Sequence, residues 1–510
     1  MTFSQVKTRL RREDWYLQAA AAKRLYISYP FFACLDFRIG RKKIPVRYNL
    51  QATFTKDFMD DYLSKKSLRQ VALYYYGRQK ADRGFIAEFM AAWHRDFVRP
   101  YLAFNRRLLG ADLRSLPDGD LFGIFRDYSD VYLRLWQEAI FLDAYDYYGE
   151  IILESEKRKD ERARALSSAD SAILTAPPRP SFSQNSRLAI LRLTERILIR
   201  PKDAAAIRRG RSLTALPDKF FWLREELEKI SRDFHWLIND FTSVEYLSPA
   251  YYYRQVRRLV IDSEKLREER EMKRELALLG RRQASIIRRY GLSQDLADCG
   301  RYLGLLGNFR DARKSYNQMA SRVLLKFVRE FARREKLSAT DLEHLFFWEL
   351  FDLRHSKVFL DRLAKRRRQT PAFCHIVGPA QFTEFFGKDI VRFDQELKAR
   401  SVAKNGFRGQ PACPGLVRGI VRIIKDKHDF SKMRPGNILV APNTRPEYMP
   451  IMKMAGAIVS EEGGLTCHAA IVSRELKIPS LVGVQGATAT LHDGDLIEVD
   501  ASGGVIHIIK

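Results

Sequence analysis

The chain has 510 residues, 46% hydrophobic and 30% charged, a balance that suits a soluble globular protein of several domains. No apolar run approaches the ~18 residues that would span a bilayer, and the five cysteines (Cys34, Cys299, Cys374, Cys413, Cys467) form no CxxC pair. These features set aside a membrane protein, a disulfide framework and a structural zinc site, and they suit a reducing cytoplasm. The formal net charge of +27 favours anionic partners, or else reflects a solvated basic surface; residues 401–510 hold 13 Lys and Arg against 10 Asp and Glu, so +24 falls on the first 400.

In chain order, the opening MTFSQVKTRLRREDWYLQ is basic but has no apolar stretch behind it, so no signal peptide is expected. Residues 1–166 read as a helical region, interrupted by the strand-like KIPVRYNLQATFT (43–55); the aromatic run 127–166 predicts one or two long helices ending in a charged, solvated stretch. The segment SSADSAILTAPPRPSFSQNS (167–186), with three prolines and many serines, predicts a linker or long loop that helices cannot cross. Amphipathic patterns such as 218–241 and 314–337 then predict a second helical domain over 187–400. The polar LKARSVAKNGFRGQ (397–410) is the natural hinge, assigned to 401–410.

From residue 411 to 510 the texture becomes short apolar runs punctuated by glycine. GIVRII (419–424), NILVAP (437–442), AGAIVS (455–460), PSLVG (479–483) and DLIEVD (495–500) predict strands, with helices over 445–455 and 467–476 between them. This alternation predicts a small α/β domain. The fold class is thus multidomain, α plus α/β, with a large helical region first.

Within EEGGLTCHAAIVSRELKIPSLVG (461–483) a buried strand leads to the turn Gly463-Gly464 and a helix capped by Thr466, which places His468 in the first turn. Free N–H groups and the positive end of the helix dipole favour negative charge there. A phosphoryl group carried on imidazole needs a ring that is neutral near pH 7 and donors for its oxygens. The glycines admit a donor molecule close to the backbone, and Ala469 and Ala470 keep the surroundings small. Taken alone, one histidine in a first turn is more often a surface residue or a cap than a nucleophile. His355, His375 and His428 are single histidines without ligand spacing, so no metal site is expected.

The run GGLTCHAAIVSRELKIPSLVG closely resembles the active-site signature of the mobile phosphohistidine domain of phosphoenolpyruvate-utilising enzymes, such as phosphoenolpyruvate synthase, pyruvate phosphate dikinase and rifampin phosphotransferase. PACPGLVRGIVRI (411–423), PGNILVAPNTRPEYMPIMKMAGAIVSEEGG (435–464) and GATATLHDGDLIEVDASGGVIHII (486–509) continue the resemblance, which covers roughly 407–510. It implies a swivelling β/β/α domain with His468 as catalytic phosphocarrier and Gly463, Gly464 and Thr466 as the phosphate environment. The helical segments 266–296 and 336–353 resemble more loosely the helical acceptor-binding region of rifampin phosphotransferase.

Residues 1–400 show neither the glycine-rich loop nor the strand alternation of an ATP-grasp domain, and no barrel sequence follows the carrier. The expectation is therefore a phosphotransferase component fed by a separate ATP-grasp protein, which would bring ATP and Mg2+, while this chain binds no cofactor itself. The helical region would receive a small-molecule or anionic acceptor, with Arg310, Arg313 and Lys314 in FRDARK either steering it or lying on a solvated helix face. The alternative is a basic nucleic-acid- or protein-binding regulator switched by phosphohistidine, although no nucleic-acid motif of known type is present.

Overall fold

Small and apolar residues surround the whole circumference of the run Gln294–Glu335, not one stripe of it, and a helix of that kind must be enclosed. In the computed structural model of the chain it forms one 42-residue helix, roughly 63 Å long, buried along most of its length. Ser293 caps its start by accepting the Leu296 N–H at 3.3 Å, and Lys336, at φ 53°, turns the chain out of it. The residues described are 2–22, 49–55, 58–239, 244–377, 382–405, 407–425, 427–444, 448–461 and 467–509.

Helices Lys65–Ala81, Phe85–Trp93, Arg99–Gly110, Asp118–Ala139 and Ala144–Lys159 pack around this central helix in one aromatic-rich core that includes Tyr101, Phe125, Tyr132, Phe309 and Phe327. A separate core, formed by Ile190, Phe220, Leu227, Tyr252 and their neighbours, is built by helices Phe182–Leu198, Pro201–Arg209, Phe221–Phe234 and Pro249–Ile261. It is a lobe inserted between two parts of the main core, so the division at 167–186 does not separate two contiguous helical bundles. Helix Ser263–Tyr290, ended by Gly291 at φ 59°, returns the chain from the lobe to the central helix.

Two further expectations need correction. The stretch 167–186 contains a helix, Ser168–Leu174, capped by Ser167. It seats on glycines of the central helix: a Cβ at Gly300 would lie 2.7 Å from Leu174 Cγ, and one at Gly304 would lie 2.8 Å from the Ala176 carbonyl oxygen. The prolines end this helix instead of preventing it. The first 400 residues also contain a five-stranded antiparallel sheet of which the sequence announced only one strand. Strands β1 (Trp15–Ala22), β2 (Asn49–Thr55), β3 (Phe58–Ser64), β4 (Ala372–Val377) and β5 (Phe382–Phe386) are ordered β1-β3-β2-β4-β5. Residues 43–48 of the expected strand lie outside the described residues.

Helix Asp389–Asn405 covers this sheet. Ile390, Phe393 and Leu397 pack with Val6, Trp15, Leu17 and Phe373, and the Tyr62 hydroxyl donates to Asp394 Oδ1 at 2.7 Å. The segment 401–410, expected as a hinge, is thus helical as far as Asn405 and reaches the first strand of the C-terminal domain at Gln410.

That domain holds β6 (Gln410–Cys413), β7 (Leu416–Ile423), β8 (Ile438–Ala441), β9 (Ala457–Ser460), β10 (Ser480–Val482), β11 (Leu496–Asp500) and β12 (Val505–Ile508), in the order β12-β11-β7-β8-β9-β10-β6. The neighbours from β7 through β10 are parallel, and the remaining pairs are antiparallel. Both faces of the parallel part are covered, which is why ILVA and AIVS read as unbroken apolar runs. Leu439, Ala441 and Ile458 face one core, and Ile438, Val440, Ala457 and Val459 face the other. Among the described residues no helix is long and apolar enough to cross a membrane.

Candidate functional site

Ligand sites of open parallel sheets lie beyond the carboxyl ends of the strands. Here β8 runs out to Thr444, and β9 runs towards the helix His468–Leu476. Ala469, Ala470 and Val472 of that helix insert into the core beneath the sheet, which fixes its first turn at the strand ends. Residues 462–466 are outside the described residues, so Gly463, Gly464 and Thr466 carry no structural account. The helix cap differs from the expected Thr466. Cys467 holds the extended cap conformation, and its Sγ accepts the Ala470 N–H at 3.4 Å. A thiol is a weaker acceptor than a hydroxyl, so neither composition nor propensity points to it. His468 is then the first helical residue, where its neighbours' N–H groups still lack helical partners.

His468 Nδ1 lies 2.8 Å from Thr444 Oγ1, and Thr444 itself is buried. The ring is partly exposed but crowded by protein. Burial, followed by the positive charge of Lys314, pulls its pKa from the usual 6.5 down to about 3. The imidazole is therefore neutral at pH 7. In the tautomer whose Nδ1–H donates to Thr444 Oγ1, the Nε2 lone pair is left available.

Lys314 belongs to the central helix, so the helical body faces the histidine. The FRDARK segment is not one solvated face. Arg313 is buried, with 2.6 and 2.8 Å hydrogen bonds to the Asp143 carboxylate, and Arg310 is paired with Asp146; only Lys314 of the three is exposed. Two ion-pair sets join the C-terminal domain to the body. Arg187 bridges Glu269 at 3.0 Å and Glu475, on the histidine helix, at 3.4 Å; Lys453 reaches Glu268 at 3.6 Å. Arg474 is largely enclosed, and burial lowers its pKa against the opposing influence of Cys467, Cys413 and Glu475.

Sequence reasoning missed Thr444, and it raised Lys314 only as a steering residue or a solvated one. Thr444 could have been found as the first polar side chain able to hydrogen-bond a ring beyond the apolar run of β8. Lys314 had no local signal pairing it with His468.

A neutral histidine at the start of a helix, at the strand ends of a parallel sheet and with one ring nitrogen engaged, can act as a nucleophile towards an anionic group. Residues 433–504 match the family model of the PEP-utilising enzyme mobile domain, and this segment is such a domain. A probable phosphoenolpyruvate synthase of Archaeoglobus fulgidus is 43% identical over 120 residues, covering 24% of this chain and 16% of its own. The phosphoenolpyruvate synthase of Aeropyrum pernix is 50% identical over 101 residues, 20% of this chain and 12% of its own. The phosphotransferase YvkC of Bacillus subtilis is 34% identical over 161 residues, 30% of this chain and 19% of its own. The chain thus spans less than a fifth of the length of these curated relatives. A solved Enzyme I structure aligns over 61% of this chain and 78% of its own at 17% identity, with a TM-score of 0.16 that is too low to define a shared fold.

Proposed function

We propose that this chain is the phosphoryl carrier and acceptor-binding component of a split dikinase-type phosphotransfer system, in which His468 is transiently phosphorylated. The observation that carries this reading is the neutral His468 ring, oriented through Nδ1 by Thr444 at the start of a helix. A separate ATP-grasp protein brings ATP with Mg2+. The Nε2 lone pair attacks the phosphorus as the bond to the donor oxygen breaks. The acceptor oxygen then attacks, the P–N bond breaks, and the acceptor's proton leaves to a base or water. The helix N-terminus and Lys314 favour the charge on the phosphoryl oxygens. The helical body, which meets His468 at Lys314, holds the acceptor.

The test is labelling of the full chain with β-labelled ATP in an extract of the source cells, beside His468→Ala. Acid-labile, base-stable label that is lost in the variant is the expected result. The relatives named phosphoenolpyruvate synthases make labelled phosphoenolpyruvate the second donor to try. Label from that donor alone would replace the ATP-grasp partner with a phosphoenolpyruvate-binding one. No label from either donor, where a known carrier is labelled, would overturn the proposal.

A further inference from the structure

A cleft lies where the helical body meets β6. Leu142, Leu303 and Leu306 supply its apolar wall, and Asp146, Glu150, Arg310 and Gln410, the last from the C-terminal domain, line the rest. The cation in this cleft is already engaged, since Arg310 is paired with Asp146. Glu150 lies one helical turn beyond Asp146 on the same face of helix Ala144–Lys159. Among the described residues it makes no hydrogen bond and no ion pair, and burial, then the neighbouring Glu154, pushes its pKa up to about 7. Gln410 Oε1 is buried with no hydrogen-bond partner among the described residues.

A buried acceptor without a donor is costly, and here the buried Gln410 Oε1 faces the same space as the half-buried Glu150 carboxylate. A ligand that brings its own donors satisfies both, whereas an anion meets a carboxylate and a cation that is already neutralised. Arg310 lies one turn along the central helix from Lys314, the residue whose charge acts on His468. The cleft therefore lies one helical turn from the residue whose charge acts on the histidine, and the histidine helix packs on the strand that carries Gln410.

Resting on the carrier reading above, we infer that this cleft is the acceptor site, and that the acceptor is an amphipathic molecule whose protonated amine sits on Glu150 and Gln410 while its apolar frame packs on the leucines. This replaces the anionic acceptor that net charge alone favours. Because Gln410 closes the cleft from the C-terminal domain, the site is complete only when that domain is docked.

The test uses the full chain at pH 8 and two probes of one shape, cyclohexylmethylamine and cyclohexanecarboxylate, with binding followed by saturation-transfer NMR. The amine is expected to bind at least fivefold more tightly than the carboxylate. The preference should collapse in Glu150→Gln, which keeps the side-chain volume, and the amine should also bind more weakly to Gln410→Ala. Equal or tighter binding of the carboxylate, binding of neither probe, or a preference unchanged in Glu150→Gln would overturn the inference. His468 labelling is measured on the same wild-type preparation. Amine binding without label would remove the carrier reading and leave an amine site, and label without amine binding would do the reverse.

Discussion

The hydroxyl of Thr444 does for His468 what burial alone cannot: it engages one ring nitrogen, Nδ1, and leaves Nε2 without that contact. Thr444→Val preserves shape and removes the hydrogen bond, so the initial rate of His468 labelling should fall about tenfold, the equivalent of one hydrogen bond of about 1.4 kcal/mol, and Thr444→Ser should restore it. Acid should act on the ring with a definite sign. His468 is held at about 3 when folded, against an ordinary 6.5, and His235 is held at about 4 by burial and then Arg322. The unfolded chain therefore binds protons that the folded chain refuses, and stability falls as pH drops from 6.5 towards these folded values. Thermal melts at pH 7 and pH 5 should show the loss, and His235→Gln should reduce it. At this scale the sequence was informative about His468, because a glycine turn, a short helix and small neighbours are all local. It was silent on Cys467 as the cap, and on the pairing of Lys314 with the ring, on which its charge acts from the helical body.

Among the elements, the sheet of the first 400 residues shows why local pattern failed. Strand β2 pairs with β4, whose residues come more than 300 positions later, and β4 and β5 are short runs between long helices. One fully buried side chain fastens this sheet to the helical body. Arg367, on helix Leu353–Gln369, contacts Glu349 at 2.6 Å and Glu384 of β5 at 2.8 Å, donates to the His344 carbonyl at 3.1 Å and lies over the Phe346 ring. In the sequence it is one of three consecutive arginines in a helical run and reads as solvated surface. Arg367→Met leaves two carboxylates facing each other without their cation, and the cost should be about 3–5 kcal/mol, read from the urea midpoint at constant m-value. Arg362→Met, at an exposed position of the same helix, should change stability by less than about 0.5 kcal/mol. The C-terminal strands were legible for the opposite reason. The central ones, β8, β9 and β10, are parallel, covered on both faces and close in sequence, so each announces itself as a short apolar run beside a glycine.

For the whole molecule, the partition into a helical body and a C-terminal α/β domain was readable from texture, but the inserted lobe and its role were not. The lobe helix Phe182–Leu198 and the helix that follows the lobe supply Arg187, Glu268 and Glu269, the groups that hold the C-terminal domain down. These pairs are partly exposed and worth about 0–1 kcal/mol each, so the electrostatic share of the docking is weak and sensitive to salt. Raising salt from 0.05 to 0.5 M should release the domain, and Glu475→Arg should release it at low salt, both read as an increase in radius of gyration by X-ray scattering.

The helix Asp389–Asn405 is bound to the N-terminal sheet on one side and touches the short helix Ala487–Thr490 of the C-terminal domain on the other. A flexible string would let its cargo sample a sphere. On the carrier reading proposed above, a stiff arm with only a few residues between its end and β6 confines the cargo to an arc, so successive stations lie along one track, and their order is set by mechanics before affinity has any say.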